Sequence, residues 1–438
     1  MKHTFKGGIH PYEGKELTED KPIVDYMPKG DMVYPLSQHI GAPAKPVVKK
    51  GDEVLCGQLI AEAGGFVSAN IHSSVSGKVK AIEPRLTSAG NKVNSIVIEN
   101  DGTFKSVEYK ENNTPVREMD KGDILDAIKQ AGIVGMGGAG FPTHVKLSPK
   151  EPEKIDTIIV NASECEPYLT SDYRRLMEQS DEVIEGLRIA LQIFPGAKGI
   201  IAVEDNKPEA IRILSEKLAG DEQITVHTMK TKYPEGAERQ LIYANTGRYI
   251  NSKMLPADAG CVVHNVDTVF AIREAVRMGR PLTERIVTVT GDAIKNPGNF
   301  RVKIGTDFAE LIEAAGGFSC TPEKLIAGGP MMGKAFYSTN LPIVKGNSAI
   351  LALSKDEVRE YEPSACIRCG RCVSVCPGRV RPELLCNLAE RGDIEGFLAH
   401  EGMECCECGC CSYVCPAKRH LTQTIAGTRK LVLASRKK

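Results

Sequence analysis

The chain has 438 residues, with Lys+Arg and Asp+Glu balanced at 56 each, 15 cysteines and no tryptophan. Balanced charge argues against a nucleic-acid partner, and sparse aromatics argue against a stacking platform for single strands. No uninterrupted apolar stretch approaches the roughly 18 residues of a membrane span, so a soluble or peripherally attached protein is expected, and the length suggests about three domains.

Residues 1–112 are rich in Gly, Pro and β-branched residues in short alternating runs, which reads as β. The stretch 47–82, VVKKGDEVLCGQLIAEAGGFVSANIHSSVSGKVKAI, resembles a lipoyl or biotinyl barrel-sandwich. Carrier domains of that type present a modified lysine on a hairpin apex. Here the apex reads Gly64-Gly65-Phe66-Val67-Ser68, so an unmodified docking or structural module is expected.

Residues 113–282 alternate helical and strand patterns, an α/β arrangement. Helices are expected over 123–131 and 180–193, and buried strands over 155–160 and 199–203. Gly135-Met136-Gly137-Gly138-Ala139-Gly140 formally matches a dinucleotide fingerprint, but a helix precedes it and Phe141-Pro142 follows. That context excludes the ordinary Rossmann turn. Dense glycine still lets backbone N–H groups approach an anion or a ring. Three more polar turns follow: 161–168 (NASECEPY), 233–238 (YPEGAE) and 262–268 (VVHNVDT). The first of them follows a strand end, where α/β sheets bind ligands. Asparagines and acids at these turns can bond a flavin's ribityl chain and ring edge.

Residues 283–350 return to strands around one short helix at 307–315, a small β-rich unit. Residues 351–425 carry Cys366, Cys369, Cys372 and Cys376 before Pro377, then Cys405, Cys408, Cys411 and Cys415 before Pro416. Each run is C-x2-C-x2-C-x3-C-P, the spacing that holds [4Fe–4S] clusters, with the fourth cysteine serving the other cluster in two-cluster proteins. Cys366, Cys369, Cys372 and Cys415 are therefore assigned to one cluster, and Cys376, Cys405, Cys408 and Cys411 to the second. Zinc does not call for three cysteines at two-residue intervals twice over. Disulfides suit small secreted chains, and thiolates kept for clusters imply a cytosolic face. Cys406 and Cys410 lie out of register. Cys386 falls in a helical stretch over 381–400 and is expected in the core rather than as a ligand, and Cys56, Cys261 and Cys320 are expected in apolar, buried places. Residues 426–438 read as a basic tail ending Arg436-Lys437-Lys438.

The order GMGGAGFPTHVK, NASECEP, YPEGAE, HNVDT resembles the NADH-binding flavoprotein subunit of respiratory complex I. That resemblance implies FMN held by Gly135, Gly137, Gly138, Lys146, Asn161, Ser163, Gly236 and Asn265, and NAD(H) meeting Phe141, Glu166 and Glu238. The segment TGDAIKNPGNFRV resembles the soluble-ligand-binding β-grasp domain of the same family. The chain departs from the pattern at Met136, Ala237 and His264, where the family has arginine, glutamate and asparagine, and it adds a second cluster run and the N-terminal barrel-sandwich.

With the opening Phe5-Lys6-Gly7-Gly8-Ile9-His10-Pro11, the module order resembles the RnfC family, from the Rnf complexes, which are membrane-bound, ion-translocating ferredoxin:NAD oxidoreductases. The resemblance implies a peripheral subunit on the cytoplasmic side of the cell membrane. Its cofactors would be FMN, NAD(H) and two [4Fe–4S] clusters, its partners the other members of the Rnf complex, and ferredoxin an indirect one. A cobalamin reductase has related modules with the flavin module first. A cluster-bearing scaffold without nucleotide activity is the other reading, motivated by Ala237 and His264.

Overall fold

The computed structural model describes residues 3–435; the expected solvated end at Arg436-Lys437-Lys438 lies outside them. The barrel-sandwich is built from two antiparallel sheets. One runs Met32–Pro35, Lys92–Asn100, Gly77–Leu86, Glu53–Val54, and the other Lys45–Pro46, Leu59–Glu62, Ile71–His72. Alternation turns Met32 and Tyr34 inward, against Ile60, Ile71, Ile96 and Ile98, all essentially fully buried. Burying each such side chain contributes about 1.5–3 kcal/mol. This core runs without a break into that of the α/β unit, so the two are welded.

In the α/β unit four strands lie parallel, in the order Ile224–Met229, Lys198–Glu204, Thr157–Ala162, Cys261–Asn265. Their largely apolar runs suit burial on both faces. The expected helices form at Lys121–Gln130 and Ser180–Gln192. Asp120 caps the first, accepting from the N–H groups of Gly122 and Asp123, while Ile124 and Ile128 face the core. That helix stops before Gly132, at φ +66°, where a Cβ would sit 2.3 Å from the Asn70 carbonyl oxygen. Only glycine allows this close approach to the barrel-sandwich.

The third unit has its own core around Val287, Val289, Phe308 and Ile350. Its six-stranded sheet differs from the expected domain limits at both ends. Strand Ile23–Tyr26, assigned by sequence to the first domain, adds in parallel to Gly298–Lys303. Strand Ala349–Leu353 pairs with Glu284–Thr290 and carries the unit past residue 350. Both strands are short, and their pairing is decided by non-local packing rather than by local pattern.

The cysteine-bearing unit is helical. The stretch expected over 381–400 is two helices, Pro382–Glu390 and Ile394–Ala399, divided at Gly392 with φ +70°. The expected basic tail is instead largely the helix Leu421–Ser435, which buries Leu421, Ile425, Thr428 and Val432. Cys386, Cys56 and Cys261 are buried as expected, but Cys320 is exposed; it sits in a turn before Lys324–Ala327, outside any core. No helix among the described residues is long and apolar enough to cross a membrane.

Candidate functional site

The carboxyl end of the parallel sheet gathers the three polar segments, although 262–268, expected as a turn, is instead the end of strand Cys261–Asn265 running directly into helix Val266–Met278. Thr157–Ala162 is the switch point, with Lys198–Glu204 on one side and Cys261–Asn265 on the other, the place where open α/β sheets bind ligands. Asn161 and Asn265 are paired in register there. Asn161 Nδ2 donates to the Gly236 carbonyl at 2.8 Å, and its Oδ1 accepts from Ser163 N–H at 3.3 Å. Asn265 caps helix Val266–Met278, accepting from Asp267 N–H, and its Nδ2 donates to Asp172 at 2.6 Å.

The glycine loop closes on itself through Gly135 N–H, which donates to the Phe141 carbonyl at 2.8 Å. Met136 N–H donates to Thr268 Oγ1 at 2.9 Å, tying the loop to the start of the capped helix. Gly137, at φ +91°, leaves 3.0 Å between a would-be Cβ and Asn265 Nδ2, while nothing lies within 4 Å of one at Gly138. Gly236 abuts Asn161 and Cys165 and donates its N–H to Cys165 Sγ at 3.3 Å. Lys146, on the short helix Thr143–Lys146, meets Glu238 at 2.6 Å. Phe141 is half-buried in the same loop.

The buried polar atoms at this sheet end without a hydrogen-bond partner include Ser163 Oγ and His264 Nε2. Native proteins rarely leave such atoms unpaired without a ligand or water to meet them. Burial, with Lys146 adding repulsion, drops His264 to about 3, so its ring is neutral. Open space at Gly138, uncovered backbone and orphaned polar atoms are what a bound flavin requires, and the residues present fit FMN.

Glu166 meets backbone groups of another unit. Its carboxylate accepts from Met331 N–H at 3.2 Å and Met332 N–H at 2.8 Å, so it fastens the 163–169 loop to a turn of the β-rich unit. Burial nevertheless pushes its carboxyl up to about 7. Sequence reading misses several supporting residues. Glu164, at φ +48°, accepts from Asp172 N–H at 2.7 Å and Tyr173 N–H at 3.2 Å, capping helix Ser171–Glu178. Lys207 Nζ donates to the Ser163 carbonyl at 2.7 Å. Lys15 Nζ donates to three carbonyls of the same loop. Glu164 lies inside the NASECEPY motif, which could have drawn attention to it; the lysines are far from that motif in the chain and have no local signal.

The two cysteine runs are conformational copies. Arg368, Gly370 and Arg379 have positive φ, and so do Glu407, Gly409 and Lys418 at the equivalent positions. In each run an N–H donates to the first thiol at 3.4 Å, from Arg368 to Cys366 and from Glu407 to Cys405. Cys376 packs with Cys405 beside Val380, Leu385 and Phe397. Cys372 and Cys415 pack with Cys386 and Cys411. Among the described residues no three His, Cys, Asp or Glu side chains could share a single metal ion; the thiols are spread over two matching turns. Their all-cysteine chemistry and repeated geometry fit iron–sulfur clusters.

The second run faces the 163–169 and 233–238 loops. Cys408 and Cys410 are buried with Ile9 and Tyr233, and Cys165, Met331 and Cys406 pack against them. Glu404, just ahead of Cys405, accepts from Arg239 at 2.9 Å and from Ser252 N–H, clamping this turn to the α/β unit. The first run faces outward: Cys366 and Cys369 are exposed.

Family models match along most of the chain. These are an RnfC barrel sandwich hybrid domain over 3–103, a Nuo51 FMN-binding domain over 128–274, an SLBB domain over 286–335 and a 4Fe-4S binding domain over 360–380. The chain is 46% identical to the C subunit of the Na(+)-translocating ferredoxin:NAD(+) oxidoreductase complex of Acetobacterium woodii, covering 100% of this chain and 99% of that one. It is 47% identical to the proton-translocating counterpart of Clostridium ljungdahlii over 89% of this chain and 85% of that one. It is 42% identical to the corresponding polypeptide of the ion-translocating oxidoreductase complex of Rhodobacter capsulatus over 90% and 76%. Among solved structures, an NAD+-reducing [NiFe]-hydrogenase chain in the H2-reduced state covers 73% of this chain and 62% of its own, at 18% identity and TM-score 0.48.

Proposed function

This chain belongs to the RnfC family of ion-translocating ferredoxin:NAD+ oxidoreductase complexes, and on that footing we propose how its residues divide the work. It is an electron-transfer subunit, an oxidoreductase component with FMN-binding and [4Fe–4S]-binding domains. The other subunits are its partners, and it is peripheral to a membrane-associated complex. The cobalamin-reductase and scaffold readings are not favoured.

In this proposal Gly135, Gly137 and Gly138 present backbone to FMN, and Asn161, Ser163, Gly236 and Asn265 line it from the strand ends. Lys146 joins them at FMN, and its partner Glu238 stands with Phe141 at the NAD(H) face, where the half-buried ring offers a surface for nicotinamide. Glu166 anchors the loop through Met331 and Met332 beside the NAD(H) position the resemblance gives it. Bound FMN supplies exchange between a hydride pair and single electrons, and [4Fe–4S] clusters carry electrons singly. Cys376, Cys405, Cys408 and Cys411 hold the inner cluster; Cys366, Cys369, Cys372 and Cys415 hold the outer one. The protein's part is to hold these groups close together, keep the inner cluster dry and leave the outer turn open to a partner. The cytoplasmic side of the membrane and an indirect exchange with ferredoxin complete the reading.

The observation that carries it is the packing of Cys408 and Cys410 against Tyr233, which leads directly into the Gly236 turn. The test is anaerobic spectroscopy of the cluster-reconstituted full chain. FMN should rebind, and NADH should bleach flavin and cluster absorbance. Absence of both FMN binding and bleaching defeats the reading.

A further inference from the structure

Residues 5–15 belong to no sheet or domain core of their own, yet they touch three loops of the site just described. Gly8 N–H donates to the Val375 carbonyl at 2.9 Å, next to Cys376. Ile9 and Tyr233 exchange both backbone bonds, at 2.8 and 2.9 Å, just ahead of the Gly236 turn. Lys232 Nζ donates to the Phe5 and Gly7 carbonyls and lies 3.8 Å from the centre of the Phe5 ring. The segment ends on Lys15, whose buried ammonium donates to the carbonyls of Glu164 at 2.8 Å, Glu166 at 3.1 Å and Leu169 at 2.6 Å. That loop needs holding. Glu164 and Tyr168 both have positive φ, +48° and +69°, which side-chain-bearing residues rarely adopt.

We propose that residues 5–15 are a positioning strap that fixes the Cys376 turn, the Tyr233–Gly236 loop and the 163–169 loop in one relation, with Gly7 and Lys15 as its positioning residues. The proposal rests on the flavin and cluster assignments made above. Gly7 is the point of closest approach. Its φ is +89°, and a Cβ would lie 2.9 Å from the Val375 oxygen and 3.1 Å from that of Cys376. Lys15 supplies three donors at one point, and the three carbonyls it meets belong to a loop without strand or helix pairing. An ammonium suits this task because its three N–H bonds diverge from one atom. The strap therefore links a cysteine of the inner set to both flavin loops.

The test uses the full chain carrying Lys15→Met, which keeps the stem and removes the donors, and Gly7→Val. Hydrogen exchange and FMN titration are read on each. Lys15→Met should speed exchange over 163–169 at least tenfold, weaken FMN binding at least tenfold and alter the visible circular dichroism of bound flavin, with iron content unchanged. Gly7→Val should speed exchange over 374–378 and 232–236 and leave 163–169 as in the parent. Should Gly7→Val fail to fold, Ile9→Pro, which deletes one donor to Tyr233, replaces it with the same expectation for 232–236. Parental exchange in these segments together with FMN affinity within twofold of the parent overturns the strap. If the parent itself binds no FMN, the flavin assignment falls, and the exchange measurements alone decide the strap.

Discussion

Removing the Asp267 carboxylate probes the frame behind the proposed flavin site. Its Oδ1 accepts from Arg175 Nε at 2.8 Å and its Oδ2 from Arg285 Nη1 at 2.7 Å. The three side chains are only 6% (Arg175), 3% (Asp267) and 1% (Arg285) exposed. Burial opposes the charge on Asp267, but Arg175 and Arg285 outweigh it and hold the carboxyl below its usual range. Asp267→Ala would leave two guanidinium groups buried without their anion. Arg175 would keep Gln179 and the Phe270 ring face, and Arg285 the Asn347 carbonyl. Breaking one member of a buried pair costs about 3–5 kcal/mol, and these remaining contacts place the expectation at about 4 kcal/mol. Asp267→Asn keeps one acceptor and should cost about half as much, since a bond to a charged group is worth about 1.5–3 kcal/mol. Replacing Arg175, Asp267 and Arg285 with Met, Leu and Met should recover most of the loss, because the desolvation of the charges disappears with them. Urea denaturation followed by far-ultraviolet circular dichroism measures each variant. A loss below about 1 kcal/mol for Asp267→Ala would refute the reasoning, since it would mean the guanidinium groups find water or other anions at little cost.

Glu166 gives a pH prediction. Its folded-state value is raised from 4.5 to about 7, mainly by burial. The native state therefore keeps this proton longer than the unfolded chain, so the stabilisation is full below about 4.5 and is lost as pH rises through about 7. The change is on the order of 3 kcal/mol. Glu166→Gln should flatten the fall in urea midpoint between about pH 5 and 8, though Glu204 and Glu235, shifted up the same way, will keep part of the slope; an unaltered slope would contradict this account. Cys376→Ser should abolish the electron paramagnetic resonance signal of the cluster held by Cys405, Cys408 and Cys411, and loss of the other signal alone would reverse the cross-ligation. Gly138→Leu fills space that is open in the structure, so it should weaken FMN binding about 100-fold while changing stability by about 0.5 kcal/mol or less; normal FMN occupancy would move the site elsewhere.

Much of the proposed site was legible because its signals are local. A C-x2-C-x2-C-x3-C-P run specifies its own turn, and the positive φ values at Gly370 and Gly409 recur at matching places. Asn161 could be singled out because it follows the buried apolar run 155–160, whereas Asn265 came from a polar segment with no strand read ahead of it; parallel register then brings the two side by side. Glu166 shows where motif reading stops. The family resemblance implied a nucleotide contact there; the backbone partners of its carboxylate lie 165 and 166 residues away in the chain and had no local signal.

The sequence by itself determined the cluster spacing and the order of the modules, because ligand spacing is written within about ten consecutive residues, and through its family resemblance it pointed to the loops proposed for the flavin. Only the tertiary structure decided which cysteine turn faces the flavin loops, that strand Ile23–Tyr26 joins a sheet formed largely by residues 284–353, and that Lys15 holds a loop 149 to 154 residues away. These are non-local contacts made by side chains and backbone groups of ordinary kinds. A buried ammonium or a short edge strand has no periodicity to announce its partner, and the partner is fixed only when the packed core brings the two segments together.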